Sequence, residues 1–89
     1  MTDVSVNLGD EHDEEIRRAI FDALNSLGAK ALERWAGVGG SQDIVSQTFD
    51  IGGRKLNLET ETYIGITATG DPETVEIFSN RVASFRRPG

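Results

Sequence analysis

The longest regular pattern in the chain is an alternation of side chains from Leu56 to Ala68. Even-numbered positions carry apolar residues and threonines, whereas odd-numbered positions are mainly charged or polar. A period of two residues places successive side chains on opposite faces of an extended strand. These thirteen residues therefore predict one long strand with one face towards a core, in which Gly65 permits a bulge or bend.

Two other stretches have the three- and four-residue spacing of amphipathic helices. The first is predicted from Glu11 to Leu27, with Asp10 as its N-cap and Gly28 as its stop. The second is predicted to start after Asp71, because aspartate caps a helix and the proline that follows is tolerated at its first position. Its apolar face consists of Val75, Phe78, Val82 and Phe85.

Shorter strands are predicted elsewhere. Residues 4–8 alternate, and Gly9 then allows a turn. Residues 30–38 are good helix formers, but they lie between a Leu-Gly helix stop and a Gly-Gly-Ser turn, so we favour a strand with a helix as the alternative. A hairpin signal at Gly52-Gly53 separates a strand ending at Ile51 from the long strand.

The strand before that hairpin is expected to have an apolar and a polar face. We assign Val45, Phe49 and Ile51 to the first and Asp43 and Gln47 to the second. The resulting order, β-α-β-β-β-α, predicts an α+β fold, a two-layer sandwich of a mostly antiparallel sheet against two helices. The chain length of 89 residues fits one domain, expected at 1–85 with a tail at 86–89.

Three residues raise questions about the core. Trp35 is the only tryptophan, and because tryptophan contributes most both to small cores and to interfaces, we favour a buried core position with an interface position as the alternative. Thr60 and Thr62 interrupt the inward face of the long strand. Either their hydroxyls find partners there, or that part of the sheet faces something other than the main core.

The charge balance limits the classes of partner. Fifteen acidic against nine basic side chains give a net charge of −6, which disfavours nucleic acids and anionic membranes. No apolar run is long enough for a membrane span, and no targeting signal is apparent, so the cytoplasm is the expected location. The absence of cysteine excludes disulfides and thiolate sites.

Acidic side chains concentrate at the start of the first helix and on the outward face of the long strand. Such a surface suits a basic protein partner, while a merely solvated surface is the plainer alternative. An exposed tyrosine beside the carboxylates also suits a protein contact. The predicted partner-binding residues are Asp10, Glu11, Asp13, Glu14, Glu15, Glu59, Glu61 and Tyr63.

The glycine-dense segment 37–42 suggests a second kind of site. Backbone N–H groups in such a loop can turn towards an anion, although the segment fits neither the Walker motif nor the dinucleotide fingerprint. The predicted ligand-binding residues are Gly37, Gly39, Gly40, Ser41 and Gln42. The corresponding function is a small homo-oligomer that binds a metabolite or anion, and the alternative is an ordinary turn.

Catalytic chemistry has little basis in the sequence. His12 is the only histidine, and its acidic neighbours follow one another along a helix start, where consecutive side chains point in different directions. We therefore predict no catalytic residue, no metal site and no cofactor. A metal-dependent enzyme is the remaining alternative within this class.

Overall fold

The computed structural model describes residues 2–10, 12–39, 42–62 and 64–86. The elements are β1 (Val4–Gly9), α1 (Glu14–Ser26), β2 (Lys30–Gly39), β3 (Gln42–Ile51), β4 (Arg54–Glu61), β5 (Gly65–Gly70) and α2 (Pro72–Phe85). The five strands form one antiparallel sheet in the order β1-β5-β4-β3-β2. The predicted α+β class and its order of strands and helices are confirmed, with the stretch predicted as one long strand folded into two, β4 and β5.

The division of that stretch has a clear backbone cause. Gly65 has a φ of +100°, which residues with a side chain disfavour, and a Cβ added there would clash with the carbonyl group of Gly9. The sheet register pairs Glu61 with Gly65, so even-numbered residues of both strands lie on the same face. The alternation keeps its phase through the turn, and for this reason the sequence pattern resembles a single strand.

Helix α1 starts three residues later than predicted, and its cap is Asp13 rather than Asp10. The Asp13 carboxylate accepts a hydrogen bond from the backbone N–H of Glu15 at 3.0 Å. Asp10 instead accepts from the backbone N–H of His12 at 2.8 Å, which forms a local turn before the helix. At the other end, Gly28 has a φ of +66°, in agreement with the predicted stop.

The core lies between the two helices and one face of the sheet, here called the inner face. Helix α2 contacts β1, β4 and β5, and the two helices pack against each other. Leu56 and Phe78 are fully buried in this core. Its other buried apolar residues are Ile16, Ala19, Ile20, Ala23, Leu58, Ile66, Ala68, Val75 and Val82.

The opposite face of the sheet, here called the outer face, has no helix against it and is largely polar. Ser5 and Thr69 share a hydroxyl–hydroxyl hydrogen bond of 2.8 Å between β1 and β5. Asn57 on β4 donates from Nδ2 to the Ser46 hydroxyl on β3, also at 2.8 Å. Cross-strand hydrogen bonds therefore satisfy this face without a second layer.

Residues 30–38 lie within β2, as favoured from the sequence, but the burial predicted for Trp35 is wrong. Its side chain is 58% exposed. The register pairs Trp35 with Ser46, a residue of the outer face, whereas both helices cover the inner face. The presence of a tryptophan in a strand does not indicate which face of that strand is covered by helices.

The faces predicted for β3 also need correction. Gln47 pairs with Leu58 and Phe49 pairs with Leu56, and both partners belong to the core. Gln47 therefore lies on the inner face, together with Val45 and Phe49, because residues two apart in a strand share a face. By the same alternation Asp43 belongs to the inner face and not to the outer one.

No helix among the described residues is long and apolar enough to cross a bilayer.

Replacement of Phe78 by alanine is expected to lower the free energy of unfolding by about 3–5 kcal/mol, because a fully buried ring leaves a cavity. Urea titration followed by circular dichroism measures the loss. The control is Phe85→Ala on the same helix, where the side chain is 41% exposed, and a loss below about 1 kcal/mol is expected. Equal losses in the two variants would contradict this description of the core.

The N-cap of α2 makes stability depend on pH. The Asp71 carboxylate accepts from the Thr74 hydroxyl at 2.6 Å and from the Thr74 backbone N–H at 3.0 Å. These hydrogen bonds, with a smaller contribution from Arg54, hold the pKa of Asp71 below its ordinary value. The pKa of Asp71 is lower in the folded state than in the unfolded chain. The cap therefore stabilises the fold fully at pH values above the unfolded pKa of about 4. This stabilisation is lost as pH falls through the folded pKa.

We therefore expect Asp71→Asn, which retains a capping oxygen, to flatten the decline of the urea midpoint as pH falls below about 4. Thr74→Val removes the hydroxyl donor and is expected to flatten the same part of the curve by a smaller amount. If the urea midpoint of Asp71→Asn fell with pH in parallel with that of the wild type, the titration of Asp71 would make no contribution to the pH dependence of stability.

Candidate functional site

The acidic residues lie towards one end of the sheet. Strands β1, β2 and β4 end there, β3 and β5 begin there, and α1 starts after a short connection from β1. We call this region the acidic end. Its described carboxylates come from three segments of the chain and belong to Asp10, Asp13, Glu14, Glu15, Asp43, Glu59 and Glu61.

Hydrogen bonds between segments hold the acidic end in shape. Asn7 donates from Nδ2 to the Ile64 carbonyl at 2.9 Å, which connects β1 to the turn after β4. The backbone N–H of Thr62 donates to the Asp43 carbonyl at 3.1 Å, and the Thr62 hydroxyl accepts from the Asp43 N–H at 3.1 Å. The start of β3 is thereby fixed to the end of β4.

A shallow cavity of about 350 Å³ lies between the β1–α1 connection and the β4–β5 turn. Asp10 lines it from the first segment and Thr62 from the second, so the structure brings the helix start and the end of β4 together. The other lining residues are Asn7, Gly9, His12, Ile64 and Gly65.

The predicted partner-binding residues in the described chain are open to solvent to different degrees. Glu14 and Glu15 are exposed in the first turn of α1, where they border a depression shared with Arg18 and Phe85. Glu59 and Glu61 are half-buried on the outer face of β4. Two further residues of the predicted set, Glu11 and Tyr63, lie outside the described residues.

The glycine-dense segment is mostly strand. Strand β2 continues to Gly39 and β3 begins at Gln42, while Gly40 and Ser41 lie outside the described residues. Gly37 lies beneath the Trp35 ring, and a Cβ added there would be 2.7 Å from two of the indole carbons. The packing of Trp35 therefore accounts for glycine at position 37, and ligand binding by Gly37, Gly39, Gly40, Ser41 and Gln42 stays a prediction.

A feature that the sequence analysis missed is a groove of about 470 Å³ between α1 and the inner face of β2–β4. Helix α2 lies over β1, β5 and β4, and within the described residues neither helix packs closely on β2 or β3. Phe21 forms part of the rim and is 64% exposed. The other apolar lining residues are Ile20, Leu24, Ala29, Ala31, Val45, Phe49, Leu58 and Ile66.

Arg17 and Asn25 of α1 also line the groove, and two polar side chains of the sheet, Gln47 and Thr60, interrupt its apolar floor. Within the described part of the chain neither forms a side-chain hydrogen bond, although each points to the inner face. Thr62, by contrast, is hydrogen-bonded to Asp43. The two alternatives drawn from the sequence thus apply to different threonines: Thr62 finds a partner, and Thr60 faces the groove.

A sequence signal for the groove existed in α1. Ile20, Phe21 and Leu24 make the apolar surface of the helix wider than the stripe that packs on the core. The inward positions Val45 and Phe49 on β3 are a second signal. Neither signal shows that this part of the sheet lacks a covering helix, because that depends on where α2 lies.

No group of three or more His, Asp or Glu side chains among the described residues is placed to hold a metal ion. Comparison with family models, curated proteins and solved structures finds no match for the chain. Its function is therefore argued from its own surface.

The groove leads us to expect that two leucine substitutions, one on each face of the sheet, change the stability in opposite directions. Gln47→Leu is expected to raise the free energy of unfolding by about 0.5–1 kcal/mol, because a half-buried amide without a protein partner is replaced by an apolar side chain. Asn57→Leu on the outer face removes hydrogen bonds to Ser46 and Thr48 and is expected to lower it by about 1–2 kcal/mol. Urea titration of both variants measures the difference, and destabilisation by Gln47→Leu would contradict it.

Proposed function

We propose that this protein is a cytoplasmic, non-enzymatic interaction module that binds a basic protein partner through its acidic end. The observation that supports the proposal is the placement of carboxylates from three chain segments at one end of the sheet. In the sequence, Asp10 and Glu61 are far apart, whereas in the fold their segments border one shallow cavity.

The arrangement favours recognition by charge. Carboxylates held by the backbone of a folded domain add their potentials over one surface, which attracts an oppositely charged protein and speeds its encounter. The hydrogen bonds of Asn7 and Thr62 keep the segments together before binding, so little further ordering of the backbone is required. The same potential repels nucleic acids and anionic membranes.

The alternative, a homo-oligomer that binds a metabolite or anion near residues 37–42, has less support. Gly37 accommodates the ring of Trp35, which removes one of the reasons for assigning a ligand to the segment. At the acidic end Asp10 and Asp13 also have local structural roles, but the side chains of Glu14 and Glu61 have none among the described residues.

A charge-neutralising triple variant tests the proposal. Glu14→Gln, Glu15→Gln and Glu61→Gln remove three charges from the acidic end and leave the caps of both helices intact. Tagged wild-type protein is expected to capture a stoichiometric basic protein from lysate of its source cells at low salt and to lose it at roughly half-molar salt. The triple variant is expected to weaken that binding about tenfold or more.

The matched control neutralises three carboxylates elsewhere, with Asp3→Asn, Asp22→Asn and Glu76→Gln, and is expected to bind like the wild type. If both triple variants weakened partner binding equally, the net charge of the protein and not the acidic end would determine binding. Binding that survives high salt and the first triple variant would overturn the acidic end as the site.

A further inference from the structure

The two edges of the sheet differ in their protection against pairing with another strand. β1 is six residues long and its pairing with β5 is irregular between Asn7 and Gly9. β2 is ten residues long. Its first half contains charged side chains and a register shift between Ala31 and Glu33, which discourage edge pairing. The second half, residues 35–39, contains neither a charge nor a proline.

We propose that β2 pairs with β2 of a second copy of this chain, antiparallel, about a twofold axis that is normal to the sheet and lies midway between the two Ala36 residues. The two five-stranded sheets then form one continuous sheet. An unprotected edge is a template for a further strand, and a twofold pairing satisfies the same edge in both copies at once. This inference goes beyond the proposed function and does not depend on it.

The charges along β2 exclude two of the possible registers. A twofold centred on Glu33 or on Arg34 would place like charges directly opposite each other, which is destabilising. A twofold centred on Ala36 places Trp35 opposite Gly37 of the second copy, and it allows pairing from Glu33, where the register shift ends, to Gly39. No two like charges are opposite each other in this arrangement.

The side chains on the outer face also fit this register. Trp35 is 58% exposed, and its ring lies over Gly37 of its own strand. Each large indole would have a glycine directly across the new strand pair, so the two copies meet without a clash and bury apolar surface that a single chain leaves in water. A foreign strand would require its own small residue at that position.

Pairing of this kind would complete the groove. Because the axis is normal to the sheet, α1 of both copies lies on the same side. Arg34 and Ala36 of the second copy, which are inner-face residues by register, would extend the groove floor beyond β2. The two grooves thus become one trough with an α1 helix on each side, and the two acidic ends point in opposite directions along the strands.

Symmetry at Ala36 gives a direct test by charge exchange. Wild-type protein is expected to sediment at twice the monomer mass of 9.7 kDa at high concentration and to dissociate on dilution. Ala36→Lys alone and Ala36→Glu alone each place like charges across the axis and are expected to weaken the dimer at least about tenfold. An equimolar mixture of the two variants is expected to restore a dimer that contains one copy of each.

Ala83 supplies the matched control, since it is an exposed alanine on α2, away from β2. Ala83→Lys is expected to dimerise like the wild type. The chain contains no cysteine, so Ala36→Cys is expected to form a disulfide-linked dimer on mild oxidation, because directly paired strand residues lie within disulfide range. Ala83→Cys is not expected to do so under the same conditions.

A wild-type chain that stays monomeric up to millimolar concentration would overturn the inference. A dimer that Ala36→Lys leaves intact would also overturn it, because the contact would then use another surface. Restoration of the dimer in the mixture also shows that both variants are folded, so loss of dimerisation in each alone cannot be ascribed to unfolding.

Discussion

The contact between strands β4–β5 and the two helices determines the rest of the structure. Leu56, Ala68 and Phe78 are fully buried in it, and a chain of 89 residues has apolar surface for one such layer only. Because the helices cover one side of a five-stranded sheet and only part of its width, three surfaces are left uncovered: a polar outer face, a groove above β3 and a free edge at β2. The first is satisfied by its own hydrogen bonds, and the other two are not.

The acidic end follows from topology rather than from sequence clustering. An antiparallel sheet brings the end of one strand beside the start of the next, so Glu61 lies close to Asp43, and Thr62 beside them lines the same cavity as Asp10. Asp13 and Asp10 have local roles there, as the helix cap and in the turn before it. Glu14 and Glu61 have no such structural role in the described residues, which makes them the informative positions for partner binding.

The sequence predicted the elements well because their patterns are local. Asp71 and Gly28 delimit helices through contacts within a few residues. The division between β4 and β5 was missed because a three-residue connection, from Glu61 to Gly65, preserves the alternation. The exposure of Trp35 and the existence of the groove could not be read from local patterns, because both depend on which strands the helices cover.

The acidic end and the β2 edge consist of different residues. Both are exposed because the single layer of helices covers only part of the sheet. A single chain leaves Phe21 and Trp35 largely in water, which is unfavourable unless another surface covers them. The edge of β2 can be satisfied by a copy of itself, since its charges permit a twofold register centred on Ala36. The acidic end has no basic counterpart of comparable density on this chain, so self-association leaves it open. A dimer formed through β2 would therefore present two acidic ends to partners of opposite charge.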